Sequence, residues 1–353
     1  MNGMLHQSRR HAARAVMLLA LLLFSANSAW AQDRPHVLVI ATGGTIASTA
    51  SGPGLTGDAL VSAIPALGKV ARLQVEDLAA GGSSGLKRAD WARLVRRIRA
   101  AFAGDPTLAG IVVTHGTDTL EETAMLLDLV IADARPVVLT GSMRSSDEIS
   151  ADGPANLLEA VRVAADPQAR GRGTLVALDG QILAAGDAAK LSTSRTSAFA
   201  SPNQGALGAV IEDGVRFFQP AGRAGRVYDL SPERIATLPR VDIVLSYFDG
   251  DGALADAAVA AGAKGLVVAG FGSGTLAPPM RSTVKALAES GFPVVLSARV
   301  ASGAVKDSGL WDGKAPAAFA RSGFLNPAKA RVLLMVHLAA GGTETLQAAF
   351  AGR

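Results

Sequence analysis

Two short segments combine hydroxyls with turn-forming glycines in a way that suits acyl transfer. Residues 41–47 read Ala-Thr-Gly-Gly-Thr-Ile-Ala, and residues 114–123 read Thr-His-Gly-Thr-Asp-Thr-Leu-Glu-Glu-Thr. Each directly follows an apolar, β-branched run. Paired glycines let the backbone come close to a ligand and aim N–H groups at it. A hydroxyl beside such donors can attack a carbonyl while the N–H groups stabilise the developing oxyanion. Each segment also has a plainer reading. Gly43 and Gly44 suit an ordinary strand-to-helix turn, and Thr119 with Glu122 fits a capping box. Two threonine-bearing turns after successive buried strands favour a site over either alone.

Other chemistries are excluded by residue type. The run from Gly43 to Ser48 lacks the third glycine of a dinucleotide fingerprint, and no phosphate-loop Gly-Lys-Ser/Thr stands near it. The 353 residues include no cysteine, which removes thiol catalysis, thiol redox chemistry and thiolate metal sites. His36, His115 and His337 are far apart, so a histidine-rich metal site is not expected, nor is a Ser-His-Asp hydrolase.

The elements that must position these turns alternate along the chain. Apolar runs at 36–41, 110–114, 136–140 and 174–178 predict strands buried on both faces. Amphipathic stretches at 89–102, 120–131 and 154–165 predict the helices between them, with Asp152 as a cap of the third. Periodicity fades over residues 219–240, which are rich in Gly, Arg and Pro. A second series follows: strands at 241–246, 265–269 and 293–297, helices at 253–261 and 279–290, and a last helix from Asn326-Pro327 to about His337. The expected fold is α/β, with a larger N-terminal parallel-sheet domain (32–218), a linker (219–240) and a smaller C-terminal α/β domain (241–353). In such sheets ligands bind at the carboxyl ends of strands, where both threonine turns fall.

The first residues read as an export signal. Arg9, Arg10 and Arg14 precede an apolar run over 15–24, and Ala29-Trp30-Ala31 supplies an Ala-x-Ala end, so residues 1–31 are expected to be cleaved. The apolar run is shorter than the roughly 20 residues a membrane span needs, and no stable anchor is expected after cleavage. Removing 31 of the 353 residues leaves 322. Removing three of the 34 basic residues leaves 31 against 30 acidic ones, a formal charge of +1. The arginine-rich stretch 91–99 keeps Leu94, Val95 and Ile98 at helical spacing and reads as the solvated face of a packed helix. No nucleic-acid partner is expected. An exported chain without disulfides must depend on a large apolar core, and this length suffices for one.

The two turns, together with residues 139–144 (Leu-Thr-Gly-Ser-Met-Arg), 150–156 (Ser-Ala-Asp-Gly-Pro-Ala-Asn) and 325–334 (Leu-Asn-Pro-Ala-Lys-Ala-Arg-Val-Leu-Leu), resemble the bacterial type II L-asparaginases and glutaminase-asparaginases. The resemblance runs collinearly over essentially the whole mature chain. It implies a periplasmic homotetramer of two-domain subunits that hydrolyses L-asparagine, with L-glutamine a second candidate substrate, and needs no cofactor. By it, Thr45 matches the nucleophile, Thr117 and Asp118 the second threonine and its aspartate, and Lys190 the lysine completing that group. A lysine beside a second hydroxyl can relay the nucleophile's proton. Asp118 would hold the lysine and pair with the substrate's α-ammonium. Thr117 lines the same pocket, and Ser83 matches the serine that grips the α-carboxylate.

The chain departs from the family in several places. Ser84 stands where the family has glutamine or glutamate. Asp249 matches the position lent by a neighbouring subunit, and Asp307 is a candidate for that subunit's other carboxylate. Between Thr45 and Leu60 there is no lid tyrosine, and the stretch is short; the chain has only Tyr228 and Tyr247. The second reading is therefore a periplasmic amino-acid-binding protein of the same fold with reduced or lost turnover.

Overall fold

A computed structural model describes residues 34–49, 54–212, 214–306, 309–311, 313–341 and 344–352. The expected leader, Asp307 and residues 50–53 of the lid stretch lie outside these. Among the described residues, strands β1 (His36–Ala41), β2 (Arg72–Asp77), β3 (Leu108–Thr114), β4 (Val137–Thr140), β5 (Thr174–Leu178), β6 (Gln181–Ala184), β9 (Gly208–Ile211) and β10 (Gly214–Phe217) form one sheet. A ribbon of β7 (Ala189–Lys190) and β8 (Phe199–Ala200) stands apart from it. A second sheet holds β11 (Val241–Leu245), β12 (Gly265–Gly270), β13 (Val294–Ala298) and β14 (Phe319–Arg321), all parallel. The helices are α1 (Gly57–Ser62), α2 (Leu67–Val70), α3 (Arg88–Gly104), α4 (Leu120–Val130), α5 (Gly153–Ala165), α6 (Pro232–Ala236), α7 (Ala253–Ala260), α8 (Pro278–Glu289), α9 (Pro327–Ala340) and α10 (Leu346–Phe350).

The first sheet runs β10-β9-β6-β5-β4-β3-β1-β2. It is parallel from β2 to β5, and then β6, β9 and β10 add an antiparallel edge. β1 pairs with β2 on one side and β3 on the other, so strand order reverses there. The crevice outside such a reversal is where open α/β sheets bind ligands, and the first two motifs leave the sheet at these two strand ends.

The apolar runs are strands because both faces are covered. Leu38 and Ile40 join Ile111 and Val113 in a core shared with α3 and α4, while Val37 and Val39 join Val112 and Val138 against α5. Alternate residues of each strand therefore meet different cores. From Val332 to Val336 α9 is apolar and buried on all sides because it packs between two neighbours. Its Val332, Leu333, Leu334 and Val336 share one core with Leu126 and Leu127 of α4 and with Val267 and Val295 of the second sheet. Asn326 caps it, its Oδ1 accepting from Lys329 N–H at 3.0 Å.

Two expectations change in detail. Asp152 stands at the start of α5 but makes no side-chain cap bond. Its carboxylate accepts instead from the N–H groups of Met143 and Arg144, both at 2.9 Å, and from Asn156 Nδ2 at 3.1 Å, pinning the loop after β4. Residues 219–240 contain the short helix α6, and Tyr228 and Leu230 within that stretch are buried. On α3, Arg93, Arg96 and Arg97 pair with Asp90, Glu233 and Glu76, and Arg99 donates to the carbonyls of Leu230 and Val130. Arg93 and Arg96 stay exposed while Leu94, Val95 and Ile98 are buried, so the stretch is the solvated face of a packed helix as expected, with its charges paired within the chain.

Candidate active site

Three loops interlock at the β1/β3 reversal, and glycine makes the interlock possible. Gly43 and Gly44 leave β1 with φ of 84° and 93°. A Cβ on Gly43 would lie 2.4 Å from the Gly81 carbonyl oxygen, and one on Gly44 would lie 2.4 Å from the Gly116 nitrogen. Both positions need glycine for conformation and for contact. Gly44 N–H donates to Gly81 O at 2.8 Å, so this N–H is engaged within the protein and is not aimed at a ligand. Half-buried Thr45 opens a short 3-10 turn, Thr45–Ala47, immediately after this contact.

The second loop leaves β3 at Thr114, whose carbonyl accepts from Thr42 N–H at 3.1 Å and from Thr42 Oγ1 at 2.8 Å. Thr117 is buried, whereas the Asp118 side chain is 67 % exposed. Lys190, on the ribbon β7–β8, reaches both. Its Nζ donates to Thr117 Oγ1 at 2.9 Å and to Asp118 Oδ1 at 2.9 Å. Three of the four residues that the family resemblance groups as catalytic are therefore in direct contact. Thr45 sits on the adjoining loop, beside the Gly44–Gly116 contact.

Ser83 belongs to the third loop and is buried against the second. A Cβ on Gly116 would lie 2.7 Å from Ser83 Oγ. Thr119 N–H donates to Ser83 Oγ at 3.3 Å, and Thr119 Oγ1 donates to Ser83 O at 3.1 Å. Thr119 is therefore not the cap that the Thr-x-x-Glu pattern suggested: it makes no cap bond, and its hydroxyl serves the Ser83 loop. Glu122 faces Arg331 at 3.7 Å, and burial raises its carboxyl above the usual range against that arginine's pull. Ser84, Lys87 and Arg331 line a cavity of ≈ 600 Å³ together with Ser83 and Thr119.

His115 supports this loop from behind. It is fully buried, and burial pushes its pKa down to about 4, opposed by the Gly116 carbonyl. A carbonyl only accepts, so the ring Nδ1 carries the proton donated to Gly116 O at 2.8 Å. Nε2 then accepts from Thr123 Oγ1 at 3.0 Å, and Thr123 accepts from Trp91 Nε1–H at 2.9 Å. Trp91 and Thr123 did not stand out as functional in the sequence, because both sit at ordinary core-facing helix positions.

The lid stretch is compact where it is described. Leu55 N–H donates to Ala47 O at 2.6 Å, returning the chain to the first motif by residue 55. Ser48 Oγ donates to Gly44 O at 3.0 Å. Asp249 lies on an exposed turn after β11 at φ 58°, beside exposed Tyr247 and Phe248. Among the described residues there is no cluster of three His, Cys, Asp or Glu side chains suited to a metal ion, and no helix long and apolar enough to cross a membrane.

A mainly parallel α/β sheet, with hydroxyls, a lysine and a carboxylate gathered where its strand order reverses, defines a small-molecule α/β enzyme fold. Residues 36–223 match the family described as Asparaginase, N-terminal, and residues 240–350 match the Glutaminase/Asparaginase C-terminal domain. The chain belongs to the asparaginase family. It is 39 % identical to L-asparaginase 2 of Bacillus subtilis (strain 168), over 89 % of this chain and 85 % of that one. It is 37 % identical to a probable periplasmic L-asparaginase of Haemophilus influenzae, over 87 % and 90 %. The crystal structure of a probable cytoplasmic L-asparaginase from Campylobacter jejuni superposes with a TM-score of 0.81 at 36 % identity, covering 91 % of this chain and all of that one.

Proposed function

We propose that this protein is an L-asparaginase that hydrolyses the side-chain amide of L-asparagine to L-aspartate and ammonia, with L-glutamine as a second substrate. The observation carrying this reading is Lys190 Nζ in contact with both Thr117 and Asp118 at the sheet reversal of an asparaginase-family chain. Thr45 Oγ attacks the amide carbonyl carbon, and its proton passes by way of the Thr117 hydroxyl to Lys190, which must be in its neutral amine form for this step and becomes an ammonium by it. The tetrahedral intermediate collapses, the C–N bond breaks, and the proton leaves with ammonia. Water then attacks the Thr45 ester, releasing aspartate and restoring the hydroxyl. Asp118 holds Lys190 through one oxygen, and its exposure leaves it open to the substrate's α-ammonium. Ser83 accepts from Thr119 N–H and retains its own proton to donate to the α-carboxylate.

The reading extends to assembly and location. Ile243 and Leu245 on the edge strand β11, and Tyr247 and Phe248 just beyond it, are exposed apolar side chains. Such a patch supports a homotetramer in which Asp249 is lent to a neighbouring site. The basic, apolar and Ala-x-Ala leader supports export to the periplasm, with residues 219–240 joining an N-terminal and a C-terminal domain. The missing lid tyrosine, with Leu55 N–H bonded back to Ala47 O, favours a second reading, a binding protein with reduced turnover. Ammonia release from asparagine and from glutamine by the purified mature protein, alongside Thr45→Ala, decides between them. Turnover that disappears in Thr45→Ala supports the hydrolase, and absence of turnover in the wild type rejects it.

A further inference from the structure

Lys329 is 1 % exposed in the first turn of α9, and no step of the proposed reaction uses it. Lysine is almost never fully buried without a partner. Its Nζ donates to Glu121 Oε2 at 3.3 Å, and Asn326 Nδ2 donates to the same oxygen at 3.1 Å. Because Asn326 also caps α9 through Lys329 N–H, the helix start and the ion pair form one unit. The carboxylate faces the positive end of the helix, which favours it further. Burial pushes the Lys329 ammonium below the ordinary lysine range, while Glu121 and then Asp187 pull it back.

These two acids sit on the two segments that the proposed chemistry must bring together. Glu121 lies three residues beyond Asp118, and Asp187 lies three residues before Lys190. Asp187 is itself fixed, accepting from the N–H groups of Asn203 and Gln204 at 3.1 and 2.8 Å and from Asn203 Nδ2 at 2.7 Å. Asn203 Oδ1 in turn accepts from Gly303 N–H at 2.8 Å. The strand carrying Lys190 is only two residues long, so its own ladder holds it weakly.

We infer that Lys329 is a positioning residue: its buried ammonium, paired with Glu121, holds the segment carrying Thr117 and Asp118 against the start of α9, in register with the segment carrying Lys190, which Asp187 and Asn203 tie to the Phe324 carbonyl just before that helix. This inference rests on the asparaginase reading. A residue of the second half of the chain would thereby set the 2.9 Å contacts of Lys190 in the first half.

The test uses the full mature protein as wild type, Lys329→Met, Glu121→Gln and the double variant. Ammonia release from asparagine gives kcat and KM, and thermal unfolding gives Tm. A displacement of the relay by about 1 Å is expected to lower kcat of Lys329→Met at least about tenfold, with KM within about threefold of wild type. In the double variant, where no uncompensated Glu121 charge remains buried, Tm is expected to recover while kcat stays low. A merely structural role would have kcat recover together with Tm, and that result overturns the inference. So does a folded Lys329→Met with kcat within about twofold of wild type. If Lys329→Met does not fold, Glu121→Gln decides: a lowered kcat at unchanged KM supports the inference, and an unchanged kcat overturns it. Absence of ammonia release by the wild type overturns the asparaginase reading and this inference with it. An active wild type with an unimpaired Lys329→Met overturns this inference alone.

Discussion

Thr119 is bonded to Ser83 twice, N–H to hydroxyl and hydroxyl to carbonyl, although 36 residues separate them. The first bond uses the Ser83 oxygen as acceptor and so turns its proton outward. The second fixes the backbone that carries it. In the proposed reaction this pair presents a hydroxyl to the substrate's carboxylate. Thr119→Val keeps the backbone bond and the shape but removes the second. It is expected to raise KM for asparagine about tenfold, the equivalent of one lost hydrogen bond to a charged group, and to leave kcat nearly unchanged. Steady-state kinetics checks it: an unchanged KM would show that Ser83 needs no such support.

In the proposed reaction the Lys190 contacts divide two functions between neighbouring side chains. Lys190→Met removes the proton acceptor and is expected to lower kcat by about 10²–10⁴-fold, with a smaller effect on KM. Asp118→Asn loses the carboxylate for both Lys190 and the substrate's ammonium, so kcat falls and KM rises together. An exposed ion pair without a catalytic role contributes only about 0–1 kcal/mol, and its loss would alter neither constant. Normal asparagine hydrolysis by Lys190→Met would therefore remove the relay from the mechanism.

His115 is a neutral support and not a catalytic base. Its folded pKa of about 4 lies below the unfolded value near 6.5. The unfolded chain thus takes up a proton first as pH falls. The stabilisation is complete above about pH 6.5 and is lost between there and about pH 4, on the order of 3 kcal/mol in all. His115→Gln, measured by denaturant unfolding at pH 7 and pH 4.5, should show a smaller acid-induced loss than wild type. Equal losses in the two proteins would show that the buried ring is not responsible.

Much of the scaffold was legible because burial leaves a simple pattern. β1, β3, β4 and β5 are buried on both faces and read as continuous apolar runs, and the helices between them show helical spacing. β2 was not legible: Arg72-Leu-Gln-Val-Glu-Asp77 is a half-exposed edge strand whose charged residues hide its alternation. The antiparallel strands β9 and β10 are short and partly exposed, and they carry no stronger signal. At the site, the glycine turns could be read from residue type. Lys190 could not, because only the fold brings a two-residue strand to Thr117, and the family resemblance alone singled it out. Thr119 misled for a local reason: its spacing to Glu122 fits a cap, but a neighbouring loop competes for its hydroxyl and wins.

The first motif carries the last expectation. The resemblance implies a tyrosine-bearing lid after the nucleophile, and here the chain closes back on itself through the Leu55 N–H to Ala47 O bond. The intervening sequence has no tyrosine at any position. The Ser48 hydroxyl donates to Gly44 O and so braces the turn that carries Thr45. A lid excludes water and fixes the nucleophile, and both effects act on the chemical step. In the proposed reaction substrate capture depends on Ser83 and Asp118. The expected result is a KM comparable with that of the Bacillus subtilis relative, and a kcat lower by about tenfold or more under the same conditions. Ser48→Ala should lower kcat further, because it frees the Gly44–Thr45 turn. Parallel kinetics on the two wild-type proteins and on Ser48→Ala tests this directly. A kcat equal to the relative's, unaffected by Ser48→Ala, would mean that the short closure already orders Thr45 as well as a full lid does.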